Sequence, residues 1–488
     1  MPHLILHPPR LGAEHFQSRF ASVREELQLP SQFPAEVLTE AENSMLDSGL
    51  PHPPDRVDAQ HLPLVAIDPP GATDLDQAFA AERRPGGGFR VYYAIADVAA
   101  FVTPGGLVDA EARARGVTLY SPDLRTPLHP PVLSEDRASL LPGAPRPALL
   151  WQIDLDADGM PVGADLRRSM IRVREAITYR EAQHRIDAGI ADESLALLAP
   201  IGRLRQEREA QRGGVSINLP AQEIIEHDAA YSLAFDRSLD IESWNAHISL
   251  LTGIVAGRAM VDAEIGIVRT LPQPAAQDLR ELRATARALD LNWDDTTPYP
   301  DFVRSLTPNS HTHNAFLVQS TRVLRGAGYA AFNGAAPAYH HHGAIASTYA
   351  HVTAPLRRLV DRFANEILLC LYAGLDPRVE AAWAVDALEE LPSLMGSARQ
   401  RSSSLERSML DLTEALVLQS RIGEHFQGVV VDVNPERNRA RIQIKNPAIV
   451  ANIAAHTGDS TRHLAEQVKL ELTSVDTQTR TVNFNVIY

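Results

Sequence analysis

Apolar residues recur every three or four positions near the start of the chain, at Phe16, Phe20, Val23 and Leu27, and this spacing predicts an amphipathic helix. Pro34 can open a second helix whose apolar side carries Val37, Leu38, Ala41 and Met45. The Pro-rich stretch 49–55 then reads as a linker. From 56 to 175 the pattern changes to short apolar runs. Residues 62–67 read as a buried strand, 90–97 as a strand after the turn at 85–88, and 148–154 as another ahead of the turn at 156–159. Between 176 and 420 the period is again helical. Long helices are expected at 193–212, 241–264, 275–290, 354–374 and 394–420, with an extended break at 214–220. The last part alternates once more: 426–433, a turn at 434–438, 440–445, then 468–475 and 481–486. Such short alternating strands predict a small antiparallel barrel of the OB type. The expected class is therefore α+β, in three parts: a small helical, helix-turn-helix-like N-terminal domain over 1–53, a mixed α/β body over 54–420, and an OB barrel over 421–488.

One turn carries the most chemistry. The strand at 62–67 runs into Asp68, then Pro69, Pro70 and Gly71 force a turn, and Asp74, Leu75 and Asp76 resume in extended form. Residues two apart on a strand share a face, so Asp74 and Asp76 should project together, with Leu75 turned into the core. Asp68 can fold back beside them. Crowded carboxylates repel each other unless a cation lies among them, and hard oxygen ligands suit Mg²⁺ or Mn²⁺. A bare acidic turn of this kind is more often merely solvated or bound to a structural ion, so the pattern needs support from elsewhere in the chain.

Composition narrows the field. The 488 residues are 44% apolar and 22% charged, as in ordinary soluble proteins, and no stretch approaches the run of about 20 apolar residues that spans a membrane. Residues 1–10 lack the order of a signal peptide, so a cytoplasmic protein is expected. Cys370 is the only cysteine, which excludes intramolecular disulfides and thiolate cages. The net charge of −15 argues against nucleic-acid binding over the whole surface, but not against a basic channel within an acidic shell. Only Lys445 and Lys469 are lysines, so phosphate contacts would fall to planar, bidentate guanidinium groups. The tract His340, His341, His342 does not read as a zinc site, because adjacent histidines do not all face one ion. Asp97 reads as a structural hydrogen-bonding residue.

Seven motifs in order then resemble the ribonuclease II family over roughly 55–488. They are 61–68 with its aspartates, 94–98, 109–120, 128–134 with 139–141, 212–216, 349–358 with Asp361, and 405–407 ahead of the OB barrel. The resemblance implies a processive, Mg²⁺-dependent 3′→5′ exoribonuclease that releases 5′-mononucleotides from single-stranded RNA, working as a monomer. By the same resemblance Asp68, Asp74 and Asp76 hold metal, Asp76 being the most critical catalytically. Tyr120 stacks on the 3′-terminal base, Arg357 clamps the phosphate, Glu406 lies near the last nucleotide, and Tyr349 belongs to the RNA-binding motif. Arg358 and Arg362 are assigned no role, as residues of a solvated helix face.

The chain also departs from the family pattern. Gln77 stands where most relatives have a fourth aspartate; its amide oxygen can still ligate Mg²⁺ but brings no charge. Asn245 lies near a position that is glutamate in many relatives. Ile217 lies close to where an aromatic often completes the base clamp. The helical N-terminal residues cannot form the two cold-shock barrels usual there, which implies a more open channel, able to take structured RNA with a 3′ overhang. The alternative is a catalytically impaired RNA-binding or regulatory relative. A phosphatase for small esters would explain the aspartates but leave the barrel and Tyr120 unused.

Overall fold

The computed structural model describes residues 13–50, 54–217, 219, 221–227, 230–236, 239–307, 310–457 and 460–487. Residues 1–10, and parts of the expected linker at 49–55 and break at 214–220, lie outside the described residues. Two helices come first, α1 (Ala13–Glu26) and α2 (Ala35–Asn43), followed by β1 (Val57–Asp58), β2 (Val65–Asp68), β3 (Gln77–Arg83) and β4 (Phe89–Ala96). Next come α3 (Leu107–Arg115), the two-residue strands β5 (Leu119–Tyr120) and β6 (Arg125–Thr126), and then β7 (Pro145–Leu155), β8 (Pro161–Arg172) and β9 (Glu175–Thr178).

Seven of these strands form one sheet in the order β1-β8-β7-β4-β3-β2-β9, antiparallel in its centre and parallel at the two edges. Both faces are covered, which is why the central strands read as apolar runs rather than clean alternation. Val65, Ile67, Phe79, Val91, Tyr93, Ile95 and Trp151 point to one face, where the helices Asp240–Asp262 and Leu359–Tyr372 pack. The opposite face is lined by Ala66, Ala78, Ala80, Ala94 and Ala96, small side chains that let Leu75, Val98 and Leu133 approach closely. At the C-terminus, five strands in the order Ile449–Ile453, Arg439–Ile444, His425–Asn434, Gln467–Asp476, Thr481–Ile487 form a curled antiparallel sheet, a half-barrel of OB type around Val430, Ile442, Leu470 and Phe484. The fold is mixed α/β.

Three helical expectations change. The helix expected at 193–212 breaks into Glu193–Ala196 and Leu198–Arg212, because Pro200 has no N–H to bond back across the junction. Met45 lies beyond the end of α2 at Asn43 and is exposed rather than on an apolar helix face. Most consequential, the helix expected to begin at 354 begins at Leu359, and residues 354–358 form a turn. The Asp361 carboxylate holds that turn, accepting the Ala354 N–H at 2.7 Å and both Nε and Nη2 of Arg358. Arg358 and Arg362 are accordingly not a solvated face: Arg362 is buried, with its guanidinium on Asp109 at 2.6 Å.

Candidate active site

The aspartate turn is set by β2 and β3 and held by neighbours on every side. Gly71 takes φ +78°, a conformation open to glycine at little cost, and lets the chain double back after Pro69 and Pro70. Ser139 accepts the Leu75 N–H at 2.9 Å and donates to the Thr73 carbonyl at 2.7 Å, while the Leu75 carbonyl accepts from Leu140 N–H. The Asp76 carbonyl accepts the Ala96 N–H from the end of β4. Leu75 is buried, as its place between two aspartates requires.

Asp76 is 5% exposed. Its Oδ1 accepts the Leu356 N–H at 2.7 Å, and its Oδ2, 3.3 Å from Arg357 Nε, completes no hydrogen bond. Desolvation pushes its carboxyl up to about 8, against the opposing pull of Arg357 and the Leu356 N–H. Asp68, at the end of β2, is pushed up to about 7, again by burial first; Arg357 opposes this and Asp74 adds to it. Asp68 has no ion-pair or hydrogen-bond partner among the described residues. Asp74 is differently placed. It pairs with Arg125, and the Tyr120 hydroxyl donates to its Oδ2 at 3.3 Å. Among the described residues no group of three or more Asp, Glu, His or Cys side chains could hold a metal ion, so the trio is not a preassembled cage.

Taken singly, Asp68 and Asp76 still have the donor chemistry that suits a hard divalent cation. Both are oxygen ligands, both are desolvated, and the buried Asp76 Oδ2 lacks a hydrogen-bond donor. Gln77 does not fit. Its Oε1 accepts the Tyr93 hydroxyl at 2.6 Å and its Nε2 donates to the Thr353 carbonyl at 2.6 Å, so both ends of the amide are engaged. Gln77 thus links the sheet to the turn that carries Arg357. Ser249 reinforces the tether through Thr353 Oγ1 at 2.8 Å.

The other expected residues separate into near and far. Arg357 lies at the centre, its side chain 45% exposed, with Nε toward Asp76 and no hydrogen bond on either Nη among the described residues. Tyr120 is 53% exposed, with its hydroxyl on Asp74. Tyr349 is buried against Gly253, where a Cβ would come within 2.2 Å of the ring; it packs the turn and presents no face to a base. Glu406 is exposed on the long helix Leu391–Leu418, which packs against Leu119 through Leu405 and Met409, and among the described residues no hydrogen bond or ion pair ties it to the aspartates. Ile217 packs with Val215 and Leu282 in a separate cluster and leaves Tyr120 without an opposing partner there. Asn245 reaches Tyr179, a neighbour of Asp68, at 3.5 Å.

Sequence reasoning missed Arg125, Tyr93 and the Leu356 amide. Arg125 had a signal: Pro122-Asp123 is a turn dipeptide, and a hairpin there makes Arg125 the cross-strand neighbour of Tyr120. The Leu356 amide had none, since 280 positions separate it from Asp76.

A seven-stranded sheet with a buried aspartate turn, facing an arginine turn and followed by a C-terminal half-barrel, agrees with what sequence and structure comparison find. The RNB domain model matches residues 56–374, and that of the RNase II-type exonuclease C-terminal S1 domain matches 424–487. The chain belongs to the RNB family. It is 28% identical over 332 residues to the exosome complex exonuclease RRP44 homolog A of Arabidopsis thaliana, which covers 64% of this chain and 35% of that protein. It is 26% identical over 402 residues to ribonuclease R of Escherichia coli, covering 78% and 49%. The chain thus spans about a third to a half of the length of these curated relatives. Mycoplasma genitalium RNase R in complex with ribose methylated single-stranded RNA superposes with a TM-score of 0.85 at 18% identity, over 97% of this chain and 78% of that one. Yeast Ssd1, a pseudonuclease, superposes at 0.69 and 15% identity, over 90% and 55%. These superpositions establish the fold; the second shows that the fold persists without the activity. Among the described residues, no helix is long and apolar enough to cross a membrane.

Proposed function

We infer that the chain is a processive 3′→5′ exoribonuclease that hydrolyses single-stranded RNA to 5′-mononucleotides, with Mg²⁺ as cofactor and Mn²⁺ able to substitute. The observation that carries this reading is Asp76: a buried carboxylate with one oxygen fixed by a backbone amide and the other facing an arginine on a rigid turn. When bound, the cation neutralises phosphate charge and lowers the pKa of water. Asp68 and Asp76 would hold it, and Asp74 would join once released from Arg125.

The chain's own residues account for the rest. Tyr120 stacks on the 3′-terminal base, a contact that tolerates any base and is worth about 1–3 kcal/mol. Arg357 turns its two unengaged Nη groups to the scissile phosphate, where a guanidinium stabilises charge that grows in the transition state. Asp76 orients the attacking water. The water oxygen bonds to phosphorus as the bond to the 3′ oxygen of the preceding nucleotide breaks. The shortened strand keeps a 3′ hydroxyl, and the released nucleotide keeps the 5′ phosphate. Structured RNA with a short 3′ overhang is included among the substrates; one structural neighbour is RNase R in complex with double-stranded RNA.

A second reading, an impaired RNA-binding relative, draws on Gln77 and on the Asp74–Arg125 pair. Incubating 5′-labelled poly(A) with Mg²⁺ separates the two. An even ladder of shortening products with mononucleotide supports the nuclease; intact RNA with retained binding supports the alternative. On a hairpin with a 3′ tail, a halt several nucleotides before the duplex would count against the structured-RNA part.

A further inference from the structure

We propose that the N-terminal helix α1 is a brace for the candidate active site, with Arg24 as the positioning residue that sets the Tyr120 hairpin. This rests on the reading of Tyr120 as the residue that receives the 3′-terminal base. The hairpin is short, and Arg125 ties its second strand to Asp74, Thr73 and Glu135. Strands β5 and β6 are two residues each, far below the length that is stable alone. Leu119 is buried at its base, but Tyr120 and Leu124 are exposed. Its two strands nonetheless carry Tyr120 and Arg125, the side chains that meet Asp74.

The constraint on its tip comes from Arg24, 99 positions before Asp123. Arg24 Nη1 and Nη2 donate to Asp123 Oδ1 and Oδ2 at 2.6 and 2.9 Å, a bidentate pair at the tip of the hairpin. The two side chains are only 11% and 7% exposed, so the pair is shielded from solvent and fixed in direction as well as distance. Arginine in this role fixes an angle that a lysine ammonium cannot.

Helix α1 is itself anchored on two further sides. Phe16 and Phe20 pack on Tyr231, at 5.1 and 5.3 Å between ring centroids, and share a cluster with Leu405 and Met409 of the long helix that bears Glu406. Glu26 takes a bidentate contact from Arg480 at 2.7 and 2.8 Å, and Arg19 donates to the Thr477 carbonyl, both in the turn between the last two strands of the half-barrel. One short helix therefore touches the C-terminal half-barrel, the Glu406 helix and the Tyr120 hairpin. Arg24 is where that brace meets the site.

The test uses single-stranded RNA with 2-aminopurine as its 3′-terminal base, whose fluorescence falls on stacking, in EDTA to prevent hydrolysis. A second probe carries the label ten nucleotides inward. Arg24→Ala is expected to weaken quenching of the terminal probe and to raise its dissociation constant about tenfold, the worth of one base stack partly lost. At saturating protein the internal probe should be quenched as in the wild type. Its dissociation constant should rise with that of the terminal probe, because both strands end in the same contact. With Mg²⁺ the variant should raise KM while kcat changes less than about twofold. Arg24→Lys should recover only part of the effect, and the charge-exchanged double variant Arg24→Asp with Asp123→Arg should recover more than either single change. Wild-type quenching and KM in Arg24→Ala would overturn the proposal. So would equal losses of quenching at saturation for both probes with a lowered Tm, which would mark Arg24 as merely structural. A wild-type chain that does not quench the terminal probe would instead overturn the reading of Tyr120 on which the proposal rests.

Discussion

Asp97 and Asp76 sit side by side at one end of the same sheet, and they differ in what surrounds them. Asp97 follows β4 and Asp76 precedes β3, and the Ala96 N–H bonds the Asp76 carbonyl between them. Both side chains are removed from water. Burial pushes the Asp97 carboxyl up, but Arg168, at 2.5 and 2.6 Å, and Arg56, at 3.0 Å, outweigh it and hold the group below its ordinary value. Asp76 has one amide and one arginine at 3.3 Å, and burial wins. The same residue type at similar burial thus serves two ends. A fully compensated carboxylate is structural, and a partly compensated one is where chemistry is to be sought.

The comparison can be broken first at Asp97. Asp97→Ala leaves Arg168 and Arg56 buried beside a missing charge, and should cost about 3–5 kcal/mol in urea unfolding. A loss below 1 kcal/mol would show that Glu366 and Asp47 suffice for these arginines.

Gln77→Ala comes next. It removes both hydrogen bonds that join Tyr93 to Thr353 and strands a buried hydroxyl, for an expected loss of about 1–3 kcal/mol. Mg²⁺ affinity, followed by calorimetry, should stay near that of the wild type, because Gln77 is a tether. A tenfold or greater fall in affinity would make it a ligand after all.

The smallest effect has the opposite sign. In the absence of divalent cations at pH 8, Asp76→Asn should raise Tm by about 2 °C or more, since it removes a carboxylate that burial penalises. The folded-state values of Asp68 and Asp76, about 7 and about 8, lie above the ordinary 3.8. The folded chain therefore holds more protons than the unfolded chain in between, and their contribution to stability is full at acid pH and lost as pH rises through 7 to 8. Melting curves at pH 5 and pH 8 should show wild-type Tm falling with pH, Mg²⁺ restoring it, and Asp76→Asn responding less to either. A Tm for Asp76→Asn below that of the wild type at pH 8 would contradict the comparison.

Much of this site was legible in the sequence, and its limits have physical causes. The apolar run into Asp68, the Pro-Pro-Gly turn and the inward Leu75 are local, so periodicity and turn chemistry reveal them. The helical period around 354–374 reads straight through Pro355, yet the turn there depends on Asp361 bonding Ala354, a side-chain choice that periodicity does not encode. Arg362 reads as a surface residue on an amphipathic helix until Asp109, 253 positions away, is found beside it. Gln77 reads as a weak ligand because Tyr93 and Thr353, which occupy its two ends, come from a neighbouring strand and a distant turn.

The most direct test is single-turnover hydrolysis of 5′-labelled poly(A) by Asp76→Asn beside the wild type, with Mg²⁺ present and RNA affinity measured on the same preparations. A slowing of about 10²–10⁴-fold, with affinity within a few-fold of the wild type, is the expected result for a residue that orients or deprotonates the attacking water. Hydrolysis at the wild-type rate would contradict it.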